Sequence, residues 1–187
     1  MAPKIKVTKA EIIEAAIKIT RKYGKDAVNA RSIATELGCS TQPVFSNFQS
    51  MDELQAEALQ YAYNIYWGFL KKEAESGNYP KYKAFGMAYI RFAEEEKELF
   101  KLLFMYDRRD EAPKFTSDYA ESVKMIMEAN NTSYELAELM HLEMWTCVHG
   151  IATMLATSFI KLEWDLISDM ISDVYHGIRA RHLTEEK

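Results

Sequence analysis

Turn-forming residues are scarce in this chain, with seven Gly and four Pro among 187 residues. A sandwich or barrel of many short strands needs a turn about every 8–12 residues, and this sequence cannot supply that many. Long helices are favoured instead, and ten Met with many Ala, Leu, Glu and Lys point the same way. A hydrophobic content of 48% excludes a disordered chain. Cys39 and Cys147 cannot form a disulfide scaffold and fit a reducing compartment. No apolar run reaches the ~18 residues that cross a bilayer. The opening Met-Ala-Pro-Lys-Ile-Lys has no apolar signal core. A soluble cytoplasmic protein with no membrane partner is expected.

Capping signals set out the helices. Thr8 and Glu11 form a capping box ahead of a helix running to about Tyr23, with Gly24 as its stop. Asn29 can cap a short helix from Ala30 to Leu37, which Gly38 ends. Ser40 can cap a third, Thr41 to Phe48, with Pro43 tolerated in its first turn. Ser50 and Glu53 open a long fourth helix to about Glu75, and Gly77 and Pro80 break the chain after it. Further helices are expected over Lys81–Glu96, Leu99–Tyr106, Lys114–Ala129, Thr132–Phe159 and Glu163–Arg181. The fold class is all-α with about nine helices. Residues 1–50 form a small head, and residues 51–187 form a larger helical body.

Charge separates the two. Residues 1–50 hold eight Lys or Arg against four Asp or Glu, a net +4, while the whole chain is −5. The body therefore carries −9. A basic head on an acidic body suits contact with a polyanion, although a solvated surface gives the same count. Within the head, two short helices flank Gly38-Cys39-Ser40, the spacing of a helix-turn-helix. Ile33, Ala34, Leu37, Val44, Phe45 and Phe48 can supply its internal contacts. Thr41, Gln42, Ser46 and Asn47 are left as polar positions able to meet base edges or phosphates. A generic three-helix subdomain remains the alternative at this point.

The strings Ala16-Ile-Lys-Ile19, Tyr23-Gly24, Val28 to Ser40, Val44-Phe45, Phe48-Gln-Ser50 and Leu54 resemble the DNA-binding domain of the TetR family of transcriptional regulators. Trp145-Thr-Cys-Val-His149-Gly150 is similar to a Trp-x-x-x-His-Gly signature in one C-terminal subgroup of that family. The resemblance implies a double-stranded DNA operator, a homodimer and a small-molecule effector. It places Thr41, Gln42, Ser46 and Asn47 in the major groove, and Arg31, Lys4, Lys6 and Lys9 near phosphates. Ser40 and Phe45 complete the DNA-facing set. The chain departs from the family pattern in having Phe45 where a Tyr is usual and Met51 where a Lys is usual.

Residues 61–149 carry 17 of the 23 aromatic residues and six of the ten Met. Such a mixture serves as ordinary core or as an apolar pocket with adaptable walls. Trp67, Tyr89, Phe92, Phe104, Met144, Trp145 and His149 are the candidate lining for an apolar or aromatic effector. Tyr89 and His149 are its polar contacts. Near-heptad stripes suggest a dimer interface through Val148, Ile151 and Leu155 on one helix and Ile167, Ile171, Val174 and Ile178 on the last. Either stripe could instead pack into its own domain.

There is no Gly-rich phosphate loop, no His-Glu-x-x-His and no Gly-x-Ser-x-Gly, so an enzyme is not expected. His141 and His149 lie eight residues apart, ~12 Å along a helix, too far to share an ion. No metal or cofactor is expected. The sequence thus implies a ligand-responsive regulator, in which the fourth helix couples body to head. A helical protein–protein interaction module without DNA binding is the alternative.

Overall fold

The computed structural model describes residues 7–106 and 117–183. Among them are nine α-helices, one 3-10 turn at Lys25–Ala27 and no strand. The helices are α1 (Lys9–Tyr23), α2 (Ala30–Leu37), α3 (Gln42–Asn47), α4 (Met51–Ser76), α5 (Lys81–Glu95), α6 (Lys97–Phe104), α7 (Ser117–Asn130), α8 (Tyr134–Ala156) and α9 (Trp164–Leu183). None of them is long and apolar enough to cross a membrane.

Their ends follow from local chemistry. Thr8 accepts from the Glu11 N–H, and the Glu11 carboxylate accepts from the Thr8 N–H at 2.8 Å, which completes the first capping box. Asn29 caps α2 by accepting from the Arg31 and Ser32 N–H groups. At the second expected box Ser50 accepts from the Glu53 N–H, but Glu53 reaches the Gln49 N–H rather than that of Ser50. Five helices, α1, α2, α4, α7 and α8, are followed by a residue at positive φ: Gly24, Gly38, Gly77, Asn131 and Ser158. Gly38 serves α2, with the Cys39 N–H on the Ala34 carbonyl at 2.9 Å. Asn131 and Ser158 serve α7 and α8 at φ 50° and 56°.

Several boundaries differ from expectation. Thr41, not Ser40, precedes α3; its backbone is already helical and its side chain makes no cap bond. Helix α6 starts at Lys97 and ends at Phe104, two residues earlier at each end than the sequence suggests. Ser133 rather than Thr132 caps α8. That helix ends at Ala156, not Phe159, because the Ser158 reversal turns the Phe159 N–H onto the Met154 carbonyl at 2.9 Å.

The chain divides into two compact units. The first reaches Trp67 and includes Glu96–Tyr106; the second comprises Gly68–Glu95 and the described residues from 117 onward. In the first unit α1 packs on α2, α3 and α6. Ile12, Ile17, Ile33, Val44, Phe48, Leu54, Leu99 and Phe100 form its core. Arg21 of α1 grips Glu96, the residue before α6, through two bonds of 2.6 and 2.8 Å. Such a bidentate pair fixes geometry better than a single contact. In the second unit α8 is central and packs on α5, α7 and α9. Gly86 lets α5 come close to α8, since a Cβ there would meet Val148 Cγ2 at 3.5 Å.

Candidate nucleic-acid interface and body site

Helix α3 is held from behind and exposed in front. Val44 and Phe48 are buried, and Ile33 and Ala34 of α2 are buried beside them. Gln42, Phe45 and Ser46 lie on the opposite, exposed face. Thr41 and Asn47 are half-buried, while Ser40 and Arg31 are exposed. Arg31 sits in the first turn of α2, ordered by the Asn29 cap.

Two side chains of α3 are partly committed. The Ser46 hydroxyl donates to the Gln42 carbonyl at 2.8 Å. The Asn47 amide donates to the Pro43 carbonyl at 2.8 Å and to the Val7 carbonyl at 3.4 Å, so it ties the N-terminal segment to α3.

Lys9 lies over the Phe48 ring, with its Nζ 2.5 Å from Glu57 and 3.6 Å from Glu53. The Glu57 hydrogen bond raises the Lys9 pKa above the usual lysine value. The pair is exposed, and an exposed ion pair exchanges readily for another anion. Lys4 and Lys6 lie outside the described residues.

Of the expected pocket residues, Tyr89, Phe92, Met144, Trp145 and His149 fall in the second unit, and Trp67 and Phe104 in the first. The Tyr89 hydroxyl and His149 Nδ1 are 2.8 Å apart. Trp145 stacks on the His149 ring at 5.0 Å and 21°, and is 39% exposed. The two polar contacts and the indole wall therefore meet in one cluster. Burial lowers the His149 pKa, which favours neutral imidazole. Phe92 is fully buried against Phe69, with ring centroids 5.3 Å apart. Met144 is buried. Phe104 packs on Tyr66 at 5.1 Å.

A second tyrosine–histidine pair was not anticipated from the sequence. The Tyr82 hydroxyl and His141 Nδ1 are 2.9 Å apart, and the Tyr119 ring lies edge-on to His141 at 4.7 Å. Tyr82 and Tyr89 are one heptad apart on α5, and His141 and His149 are eight residues apart on α8. The two bonds are therefore rungs between the same two helices. With the phenol as donor, each neutral His accepts on Nδ1 and carries its proton on Nε2. Desolvation lowers the His141 pKa to about 4 and raises that of Tyr82.

The stripe expected to meet a second copy faces inward. Val148, Ile151, Leu155, Ile167, Ile171 and Ile178 are all buried within the single chain, and Val174 is half-buried. They form the internal seam between α8 and its neighbours. The large aliphatic side chains most exposed on these helices are different ones: Leu139 and Leu142 of α8 and Leu166 of α9, at 43%, 48% and 49%.

No curated protein matches the chain in sequence. Residues 82–171 match the family described as tetracyclin repressor-like, C-terminal domain. The fold is similar to that of a protein of unknown function from Rhodococcus sp. RHA1, with a TM-score of 0.72 and 20% identity. That match covers 95% of this chain and 98% of the other. It is also similar to a TetR-like transcriptional regulator from Rhodococcus sp. RHA1, with a TM-score of 0.64 and 16% identity, over 95% of this chain and 96% of the other. The first unit thus holds a helix-turn-helix, the second carries the match to the tetracyclin repressor-like C-terminal domain, and the chain shares the fold of these two solved structures.

Proposed function

We propose that the chain is a cytoplasmic repressor that binds a palindromic operator as a homodimer and is released by a small apolar or aromatic effector. The observation that carries this reading is the anchored α3, whose outer face offers Gln42, Phe45 and Ser46 while Val44 and Phe48 fix it from within. The DNA-facing set is Lys4, Lys6, Lys9, Arg31, Ser40, Thr41, Gln42, Phe45, Ser46 and Asn47. The division of labour is a DNA-binding head over residues 1–50 and a ligand-binding and dimerisation body over residues 51–187. Two copies of α3 meet successive major grooves when their half-sites lie ~34–36 Å apart. The effector must favour a dimer in which that spacing is lost. Reversing a 1:99 population requires ~5.5 kcal/mol of differential affinity.

The Trp145–His149–Tyr89 cluster is the effector-binding end of this reading, because it combines a part-exposed ring with a half-buried polar pair. The test is a mobility shift on a palindromic duplex, titrated with aromatic effectors while Trp fluorescence is followed. Quenching and release should occur together. Trp145→Ala should weaken the effector response and leave operator binding by the unliganded protein intact. Failure of every ligand to alter DNA affinity would remove the sensing role.

The dimer contact falls to Leu139, Leu142 and Leu166, the leucines of α8 and α9 exposed in the protomer. Leu142→Glu should leave each copy folded, since the side chain is already half in water, yet bury a charge in the dimer and yield monomers. Light scattering reads the mass and circular dichroism the fold. Val148→Glu should instead unfold the second unit. A stable Leu142→Glu dimer would exclude this surface.

A further inference from the structure

Helix α3 contains no Lys, Arg, Asp or Glu; its six residues are Gln42, Pro43, Val44, Phe45, Ser46 and Asn47. That composition limits what it can read. A guanine edge offers two acceptors in the major groove and is read best by Arg or Lys; a cytosine edge offers an amino donor and is read by Asp or Glu. Neither reader is present on α3. An adenine edge offers one donor and one acceptor, which a carboxamide matches, and a thymine presents a methyl group, which an apolar side chain matches.

Of the two carboxamides, Asn47 is already engaged. Its amide donates to the Pro43 and Val7 carbonyls, so the donor that adenine N7 needs is taken. Gln42 is exposed, and its side chain makes no hydrogen bond among the described residues. Phe45 follows Gln42 by three residues and so shares its face. It is 57% exposed, a large ring held in water on the outer side of the helix. It lacks the hydroxyl that would reach a phosphate, so its chemistry suits a methyl group rather than the backbone. Ser46, one turn on from Gln42, donates its proton to the Gln42 carbonyl and keeps lone pairs for an amino group.

We propose that α3 reads A·T pairs, with Gln42 taking an adenine edge and Phe45 packing on a thymine 5-methyl group. This deepens the DNA-binding reading and rests on it. Both contacts are neutral, so they add selectivity without salt dependence; the salt-dependent part of binding falls to cations outside α3.

The experiment selects operator sequences from a randomised duplex pool with the full-length protein. It then replaces each thymine of the selected half-site by deoxyuridine, which removes only the methyl group. A·T pairs are expected at the positions facing α3. Loss of one buried methyl, ~0.8 kcal/mol, is roughly a fourfold weakening. Phe45→Ala should abolish the difference between thymine and deoxyuridine, and Phe45→Leu should retain part of it. Gln42→Ala should lose about 5-fold to 150-fold of its preference for the cognate adenine, which is ~1–3 kcal/mol. Guanine or cytosine contacts at these positions, or equal affinity for thymine and deoxyuridine in the unaltered protein, would overturn the proposal while leaving DNA binding in place. Failure to enrich any sequence, with no shift of duplex DNA, would overturn the DNA-binding reading itself and this proposal with it.

Discussion

Replacing Phe92 by Ala is expected to destabilise the second unit by about 3–5 kcal/mol, the usual cost of emptying a buried phenylalanine site. Phe92 has no exposed surface and meets Phe69 edge-on at 5.3 Å, so truncation loses both the transferred area and an aromatic pair. Against a typical total of about 5–15 kcal/mol, that is a large share of the margin. Urea unfolding reads it as a lower midpoint. The result also decides between two roles for this ring, because a side chain lining an effector cavity would behave otherwise. If Phe92→Ala kept its unfolding midpoint and lost only its response to aromatic ligands, Phe92 would be a pocket wall and not core. Trp145, 39% exposed on α8, should show the converse pattern of small stability loss and large response loss.

Phe92 also illustrates where sequence reasoning loses resolution. Clustered aromatic and Met residues report that a region is rich in bulky side chains. They do not report which of those side chains are fully enclosed. The same ambiguity governs α8. Met140, Met144, Val148, Ile151 and Leu155 form a stripe, and so do Leu139, Leu142, Thr146 and Gly150, rotated around the same helix. A heptad-like period says that a face will be covered but not by what. The first stripe is covered by the chain itself and the second is exposed, so the stronger apolar signal marked the internal seam rather than the outer surface.

Local signals were legible because their cause is local. Thr8 with Glu11, Asn29, and Gly38 each act within a few residues, and the structure uses each as a helix cap or stop. The stop at Ser158 carries no such mark, since a serine in left-handed conformation is uncommon. The helix-turn-helix was legible for the same reason as the caps: its turn and its anchors are close in sequence. The commitment of Asn47 to Val7 was not, because it joins residues 40 apart. The tyrosine–histidine rungs were harder still. Tyr82 and His141 are separated by 59 positions, and only the packing of α5 on α8 brings them together.

Acidification is expected to act on the second unit through His141. Its ring is 7% exposed, bonded to Tyr82 and covered by the Tyr119 ring. Desolvation holds its pKa at about 4, against 6.5 for an ordinary histidine, and the opposing pull of Asp118 does not restore it. The unfolded chain therefore takes up a proton at higher pH than the folded one. Stability is full above pH 6.5, falls as the pH drops below that value, and has lost its His141 contribution once the pH passes about 4. The difference amounts to roughly 3 kcal/mol, at 1.36 kcal/mol per pKa unit. Burial lowers the His149 pKa as well and adds to the loss in the same direction. Urea midpoints measured between pH 7.5 and 4.5 should fall for the unaltered protein and fall less for His141→Asn, whose Oδ1 takes the place of Nδ1. The carboxamide can still accept from the Tyr82 hydroxyl but cannot take up a proton, so the rung is kept and the titration removed. Carboxylates that titrate near the lower limit affect both proteins alike and cancel in the comparison. Equal pH slopes for the two would show that His141 is protonated in the folded state as easily as in the unfolded one, and that the α5–α8 rung tolerates its charge.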